Sequence, residues 1–419
     1  MAALVACARE SEPAASAAAD APGSLLSAPW TVTWAASPQP PLPGPAYLLL
    51  KGQPVRLIVR TSVGGERVRV RFSNVYGTTP LQITAARIAL RTTGAEIDEA
   101  TDRQLTFVNA STATVAPGQE ILSDAIDFEL PAFVDLAVTF WLSGDQPVTT
   151  MHLLAQQTSY LGEAHPEAGR GFKVAKTLDF WPFLASVDVQ APGAITVAVF
   201  GDSTVDGDGS TADANKRWPD FLAQQFNSDS AHAGIANLGL IGNRLLTDSP
   251  PDSDFGSALG RAGVDRLASE LERLSQVDCV ILRLGVNDIG FPGSFAPKDA
   301  PMTAERLIDG YRRAAAAAHG KGARVVGTTI TPFEGTKFEG YHTAAKEKVR
   351  EEVNAWIRTS RDFDRVIDAD AALRDPSHPS KLLAAYDSGD HLHPGDAGNE
   401  HLAAQTPPDI CRRPASPPG

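Results

Sequence analysis

Two hydrophobic periods divide the chain. From Val32 to about Val189, apolar residues tend to fall on alternate positions in short runs separated by turn residues, a pattern that turns one strand face to a core and the other to solvent. Arg67-Val68-Arg69-Val70-Arg71-Phe72 is the strictest case, with Val68, Val70 and Phe72 on one face and three arginines on the other. Val55–Arg60, Leu81–Ala85, Asp124–Leu130 and Asp135–Trp141 read the same way, divided by Gly64-Gly65, Gly77, Pro117-Gly118 and Gly144. These segments predict an antiparallel sandwich. Its arginine face reads first as a solvated outer surface, with binding of acidic glycans as the alternative.

After Pro192-Gly193 the period changes, and that dipeptide marks the expected boundary between two domains. Apolar strand runs now alternate with amphipathic stretches: Ile195–Phe200 and a helix from about Trp218, Ile235–Leu238 and Val264–Leu274, Val280–Leu284 and Ala304–His319. Arg324–Ile330, His342–Arg358 and Val366–Ala369 continue the series. Strands alternating with helices predict a parallel sheet covered on both faces, with reactive groups at the carboxyl ends of its strands.

Composition narrows the class. The 419 residues are 43% hydrophobic and 21% charged, close to the globular average, which excludes long disorder, a collagen-like fibre and a coiled coil. Fifty acidic against 37 basic residues give a net charge of -13, so a phosphate backbone is repelled and nucleic acid is not an expected partner. No run of 18 apolar residues occurs, and no transmembrane segment is expected. Cys7, Cys279 and Cys411 are too few for a disulfide framework, and Cys279, inside an apolar run, reads as a buried strand thiol. Residues 1–30 are short of apolar bulk and rich in Ala, Ser and Pro, which predicts a flexible segment. Leu4-Val5-Ala6-Cys7 within it resembles a bacterial lipobox, so the segment also reads as a residual export or lipoprotein signal. A secreted or cell-envelope location follows from that reading, and a cytoplasmic one from its failure.

Candidate chemistry sits just after the strands. Ile195–Phe200 runs directly into Gly201-Asp202-Ser203-Thr204, which places a small hydroxyl where the chain leaves the sheet. There is no Gly-x-Ser-x-Gly elbow. Gly242 follows the second strand and Gly285-Val286-Asn287-Asp288 the third, so a glycine N–H and an asparagine amide could converge above Ser203 as oxyanion donors. Near the C-terminus, Asp390-His391-Leu392-His393-Pro394 offers a carboxylate and an imidazole three residues apart. A serine needs a base to take its proton and a carboxylate to orient that base. Asp390 and His393 fit, with His391 as the competing base. A metal held by Asp390, His391 and His393 would lack the rest of a first shell. Asp206-Gly207-Asp208-Gly209-Ser210 lacks the glycine and glutamate of a calcium loop and reads as a mobile active-site loop.

Together, Gly201-Asp202-Ser203, Gly242, Gly285-Val286-Asn287-Asp288 and Asp390-His391-Leu392-His393-Pro394 resemble the four blocks of the SGNH or GDSL hydrolase family, in the family's chain order. The resemblance spans about Ala194 to Leu402. It implies a flavodoxin-like three-layer α/β/α domain and a serine esterase, with Ser203 as nucleophile, His393 as base, Asp390 as its orienting carboxylate, and Ser203, Gly242 and Asn287 as oxyanion donors. No cofactor and no metal are implied. Thr204 stands where the family's name-giving leucine would be, a departure expected to touch packing alone. The N-terminal strands resemble the jelly-roll-like sandwich preceding this domain in some secreted bacterial members. The expected organisation is thus 1–30 flexible or signal, 31–191 sandwich, 192–405 catalytic domain and 406–419 an irregular tail. Thr406-Pro407-Pro408 is expected to break the closing helix. The expected substrate is a small ester or an acylated glycan, short-chain acyl or acetyl groups first. A lysophospholipase or thioesterase of the same family is the near alternative, and a carbohydrate-binding protein with a degenerate hydrolase half the distant one. Oligomeric state is not legible in one sequence.

Overall fold

A computed structural model describes residues 29–44, 48–163, 172–228, 232–250, 253–298 and 301–412. The expected signal segment, Cys7 included, lies outside the described residues apart from its last two positions, as do 413–419 of the tail.

Alternation in the N-terminal half does build a two-sheet sandwich. One sheet runs in the spatial order 30–35, 184–190, 65–73 and 120–122, with 126–130 also paired to 65–73. The other runs 174–178, 159–162, 55–60, 135–142, 81–90 and 103–104, with 113–115 paired to 81–90. All of these pairings are antiparallel. Val68, Val70 and Phe72 are buried with Leu57, Val59, Val138 and Phe140 in the core between the sheets.

Most of the arginine face is not left to solvent. Arg67 pairs with Asp127, Arg71 with Glu120, and Arg69 with Asp188. Arg69 also donates to Ser275 of the C-terminal half and lies 4.1 Å over the Trp30 ring. The Arg69 and Arg71 end of the face thus serves internal contacts and the seam between the halves, while the Arg67–Asp127 pair lies at the surface.

After the turn 191–194, five parallel strands follow in the order Ala233–Leu238, Ile195–Gly201, Cys279–Arg283, Arg324–Thr328, Arg365–Ile367. This 2-1-3-4-5 order is that of flavodoxin-like sheets, which bind ligands where the order reverses. Alternate strand residues point into two layers. Ala198, Phe200, Val280 and Leu282 pack with the helices Gly263–Arg273, Ala304–Gly320 and Ala344–Thr359. Val197, Val199, Cys279 and Ile281 pack with Trp218–Asn227, Ala369–Leu373 and Asp396–Ala404 on the other face.

The halves are tightly joined. Val32 and Ala35, in the first sandwich strand, belong to the apolar core of the α/β half. That strand lies along Ala233–Leu238, the edge of the parallel sheet, and covers an edge that would otherwise expose unpaired backbone. Gly234 permits the approach: a Cβ there would fall 2.0 Å from the Val32 carbonyl oxygen. Ile235 N–H donates to Ser62 Oγ and Val32 N–H to Thr196 Oγ1.

One reading needs correction. Cys279 is not a lone thiol but is bonded to Cys411, 132 residues away. The helix Asp396–Ala404 does stop before Thr406-Pro407-Pro408, yet the turn beyond it folds back, buries Ile410 and Cys411 against the sheet, and brings the second sulfur to the central strand. Residues 406–412 are irregular without being loose, and no helix among the described residues is long and apolar enough to cross a membrane.

Candidate active site

Ser203 is the first residue of a short helix, Ser203–Asp206, that begins as the strand Ile195–Gly201 ends. Asp202 caps this helix, accepting from Thr204 N–H and Thr204 Oγ1, and Arg283 Nη1 donates to the Thr204 carbonyl. Thr204 therefore does more than pack: its hydroxyl fixes the side chain beside Ser203, a contact leucine could not make. Asp202 is buried, and its carboxyl is pushed up by that burial despite the Thr204 hydrogen bonds and the Arg283 charge.

The C-terminal loop closes on this serine. Ser388 N–H donates to the His393 carbonyl and Gly395 N–H to that of Tyr386, forming a tight reversal with Gly389 at φ +100°. It delivers His393 Nε2 to 2.8 Å from Ser203 Oγ. On the far side of the ring, His393 Nδ1 lies 2.5 Å from Asp390 Oδ2, while Asp390 Oδ1 accepts from the N–H groups of Leu392 and His393. Burial alone would raise the Asp390 carboxyl, but these hydrogen bonds and the His393 charge hold it well below the usual carboxylate range. His393 is raised: burial opposes its charge and is outweighed by the Asp390 hydrogen bond and by the charges of Asp208, Asp390 and Asp202.

His391 is turned elsewhere, half exposed at φ +63°, with its Nδ1 on Asp387 Oδ2. The Asp390, His391 and His393 side chains thus do not converge on one point, and the metal alternative loses its ligand set. The expected mobile loop after Ser203 is also not what the fold contains. Asp206 is buried, its Oδ2 accepting from Ile241 N–H and its Oδ1 lying 2.8 Å from His152 Nε2. Asp208 N–H donates to the Ser203 carbonyl, and its carboxylate is 3.7 Å from His393 Nε2.

Asn287 is tied to the loop that carries Gly242. Gly242 takes φ +69° in the turn Leu240–Asn243, where a Cβ would meet Leu259 at 2.8 Å. Glycine is required there on both counts. Asn287 Nδ2 donates to the Asn243 carbonyl, and Tyr341 Oη donates to Asn287 Oδ1 at 2.6 Å, which fixes the direction of the amide and leaves one Nδ2–H for another acceptor. Asp288 holds the same loop from below, accepting from Leu245 and Leu246 N–H. Burial raises its carboxyl to about 6, against those two hydrogen bonds. Gly242 N–H finds no acceptor among the described residues. Ser203 N–H, at the first helical position, has none within its helix.

All five residues singled out in the sequence thus lie at the switch-point end of the sheet, three of them in direct line. Tyr341 and His152 were not visible as site residues, and Asp206 was visible only as part of a loop beside Ser203, without its buried partners. Tyr341 sits in a loop with no motif, and the roles of the other two depend on partners far away in sequence.

Residues 199–401 match the model of the GDSL-like Lipase/Acylhydrolase family. No curated protein matches the chain. Among solved structures, the chain is similar to the native aryl esterase of M. smegmatis, at 21% identity over 50% of this chain and 95% of that one, with a TM-score of 0.37. It is also similar to Est24, a carbohydrate acetylesterase from Sinorhizobium meliloti, at 18% identity over 50% of this chain and 94% of that one, TM-score 0.38. A GDSL-like lipase from Bacteroides thetaiotaomicron VPI-5482 shares 15% identity over 51% of this chain and 87% of that one, TM-score 0.37. With the four motif blocks all inside or beside the matched region, the α/β half of this chain belongs to the GDSL-like lipase/acylhydrolase family, and the protein is a carboxylic ester hydrolase.

Proposed function

We propose that the reaction is a two-step ester hydrolysis through an acyl-enzyme on Ser203. His393 Nε2 takes the Ser203 proton as Oγ attacks the carbonyl carbon, and returns it to the departing alcohol. Water then attacks the acyl-serine with His393 again as base. Asp390 holds the ring in the tautomer that leaves Nε2 free to accept, and steadies the imidazolium once it forms. Ser203 N–H, Gly242 N–H and the second Nδ2–H of Asn287 receive the oxyanion. The observation that carries this reading is the unbroken line from Ser203 Oγ to His393 at 2.8 Å and on to Asp390 at 2.5 Å.

For substrate we infer short-chain acyl esters, acetyl groups on polysaccharides included. Asp208 and Asp390 flank His393, and the chain carries a net charge of -13. Such surroundings disfavour the phosphate of a lysophospholipid and accept a neutral ester or glycan. The Cys279–Cys411 bond supports an oxidising, extracytoplasmic location.

Ser203→Ala should abolish turnover of p-nitrophenyl acetate and labelling by a fluorophosphonate, with the far-UV spectrum unchanged. Wild-type turnover in that variant would remove Ser203 from the mechanism. An unlabelled wild-type protein would instead favour a binding protein with a degenerate hydrolase half. A chain-length series of esters beside acetylated xylan and a lysophospholipid separates the substrate classes.

A further inference from the structure

The sandwich reaches into the esterase site through one side chain. His152, in the short strand Met151–His152, is fully buried and stacks on Trp181 at 5.6 Å. Its Nδ1 lies 2.9 Å from the Ser37 carbonyl and its Nε2 2.8 Å from Asp206 Oδ1. A carbonyl can only accept, so Nδ1 carries a hydrogen. The contact with Asp206 then needs a second proton between Nε2 and the carboxylate. Held on the ring, that proton makes the pair an imidazolium against a carboxylate. Burial alone would disfavour the charged ring, and the Asp206 charge and hydrogen bond outweigh it, raising His152 above its ordinary value. The other oxygen, Asp206 Oδ2, accepts from Ile241 N–H, the residue before Gly242. At Gly239 the same loop comes so close to Asp206 that a Cβ would fall 2.1 Å from its nitrogen. Asp206 also ends the helix that starts with Ser203.

We propose that His152 is a positioning residue for the esterase site: it orients Asp206, which fixes the Ile241 peptide and so aims the Gly242 N–H at the reacting carbonyl. The proposal rests on the reading of Gly242 as an oxyanion donor. It gives the sandwich a part in the chemistry, because an esterase half without it would lack the group that orients Asp206. A cavity of about 340 Å³ lies beside His152 at the seam, bordered also by Trp34, Arg60, Trp181 and Arg217. Side-chain changes at position 152 thus have space nearby in which to relax.

The test uses the full chain and p-nitrophenyl acetate. Removing one partner of a buried ion pair leaves an uncompensated charge, whereas replacing both by apolar groups is often neutral for stability. The informative variant is therefore the double replacement His152→Phe with Asp206→Leu. It should fold and lower kcat tenfold to a hundredfold, below the full cost of deleting an oxyanion donor, with KM within about threefold of wild type. Asp206→Asn should recover most of that loss. Its Nδ2 can donate to a neutral His152 Nε2 while its Oδ1 accepts from Ile241, so the geometry survives with the proton of that contact carried by the amide and with one positive charge removed from His152 and one negative charge from position 206. A folded double variant with wild-type kcat would overturn the proposal, as would a drop in kcat of more than tenfold for Asp206→Asn. Ser203→Ala run alongside separates the two readings. Loss of turnover there with retained turnover in the double variant sinks only the role of His152, while turnover without Ser203 sinks the mechanism itself.

Discussion

Asn287 has its amide orientation set by Tyr341 before any substrate arrives. Deleting an oxyanion side chain costs about 3 to 4 kcal/mol of transition-state stabilisation. Asn287→Ala should therefore lower kcat by two to three decades, and Tyr341→Phe, which leaves the amide free to turn, by about one; steady-state kinetics on a single ester checks both. The base sets the pH dependence. In the proposed mechanism His393 must be neutral to accept the serine proton, and its folded pKa lies above the ordinary histidine value, so kcat/KM should fall as pH drops through a limb above that ordinary value. Asp208→Asn removes one charge that favours the imidazolium and should move this limb to lower pH. An unmoved limb would show that the 3.7 Å approach of Asp208 has no electrostatic consequence. Ser203, Gly242 and Asn287 were legible as candidates because each follows a strand in a recognisable local pattern, and Asp390 and His393 because a carboxylate and an imidazole stand three residues apart. The roles of His152, Asp206 and Tyr341 were not, since they depend on partners more than 30 residues away in sequence.

At the scale of elements, amphipathic spacing marked the long helices and the main strands well. The stretch expected at Ala304–His319 is the helix Ala304–Gly320, and Val55–Arg60 is a strand with those same ends. Short pieces escaped: the helices Ser203–Asp206 and Val286–Gly290 span barely a turn, too few residues to show a period. Docking of elements was equally hidden, as the arginine face of Gly65–Ser73 illustrates, because alternation tells which residues share a face and not what covers it. Gly234 tests the docking directly. Alanine in a strand interior ordinarily gains about 0.5–1 kcal/mol over glycine. Here its Cβ would strike the Val32 carbonyl, and such overpacking costs about 1–3 kcal/mol. Gly234→Ala should destabilise the protein, seen as a lower urea midpoint; a raised midpoint would mean that the first strand is not held against the sheet edge.

Across the whole molecule, the two halves share core residues, a sheet edge and a buried ion pair. The change of period at Pro192-Gly193 marks a change of architecture more than a line of weakness. The disulfide was invisible in the sequence because its cysteines are 132 residues apart and only the return of the chain after the last helix unites them. Closing a loop of 132 residues restricts the unfolded chain by about 5 kcal/mol in the chain-entropy model. Dithiothreitol, or Cys411→Ser, should therefore lower the melting temperature by several degrees, and an unchanged melting curve would mean that the bond is not formed in solution. The same bond has a mechanical consequence. Pulled from its two ends, the oxidised chain cannot pay out the residues between Cys279 and Cys411, so its fully extended length is shorter by roughly 450 Å than that of the reduced chain, and the central strand bears the load until the sulfurs part.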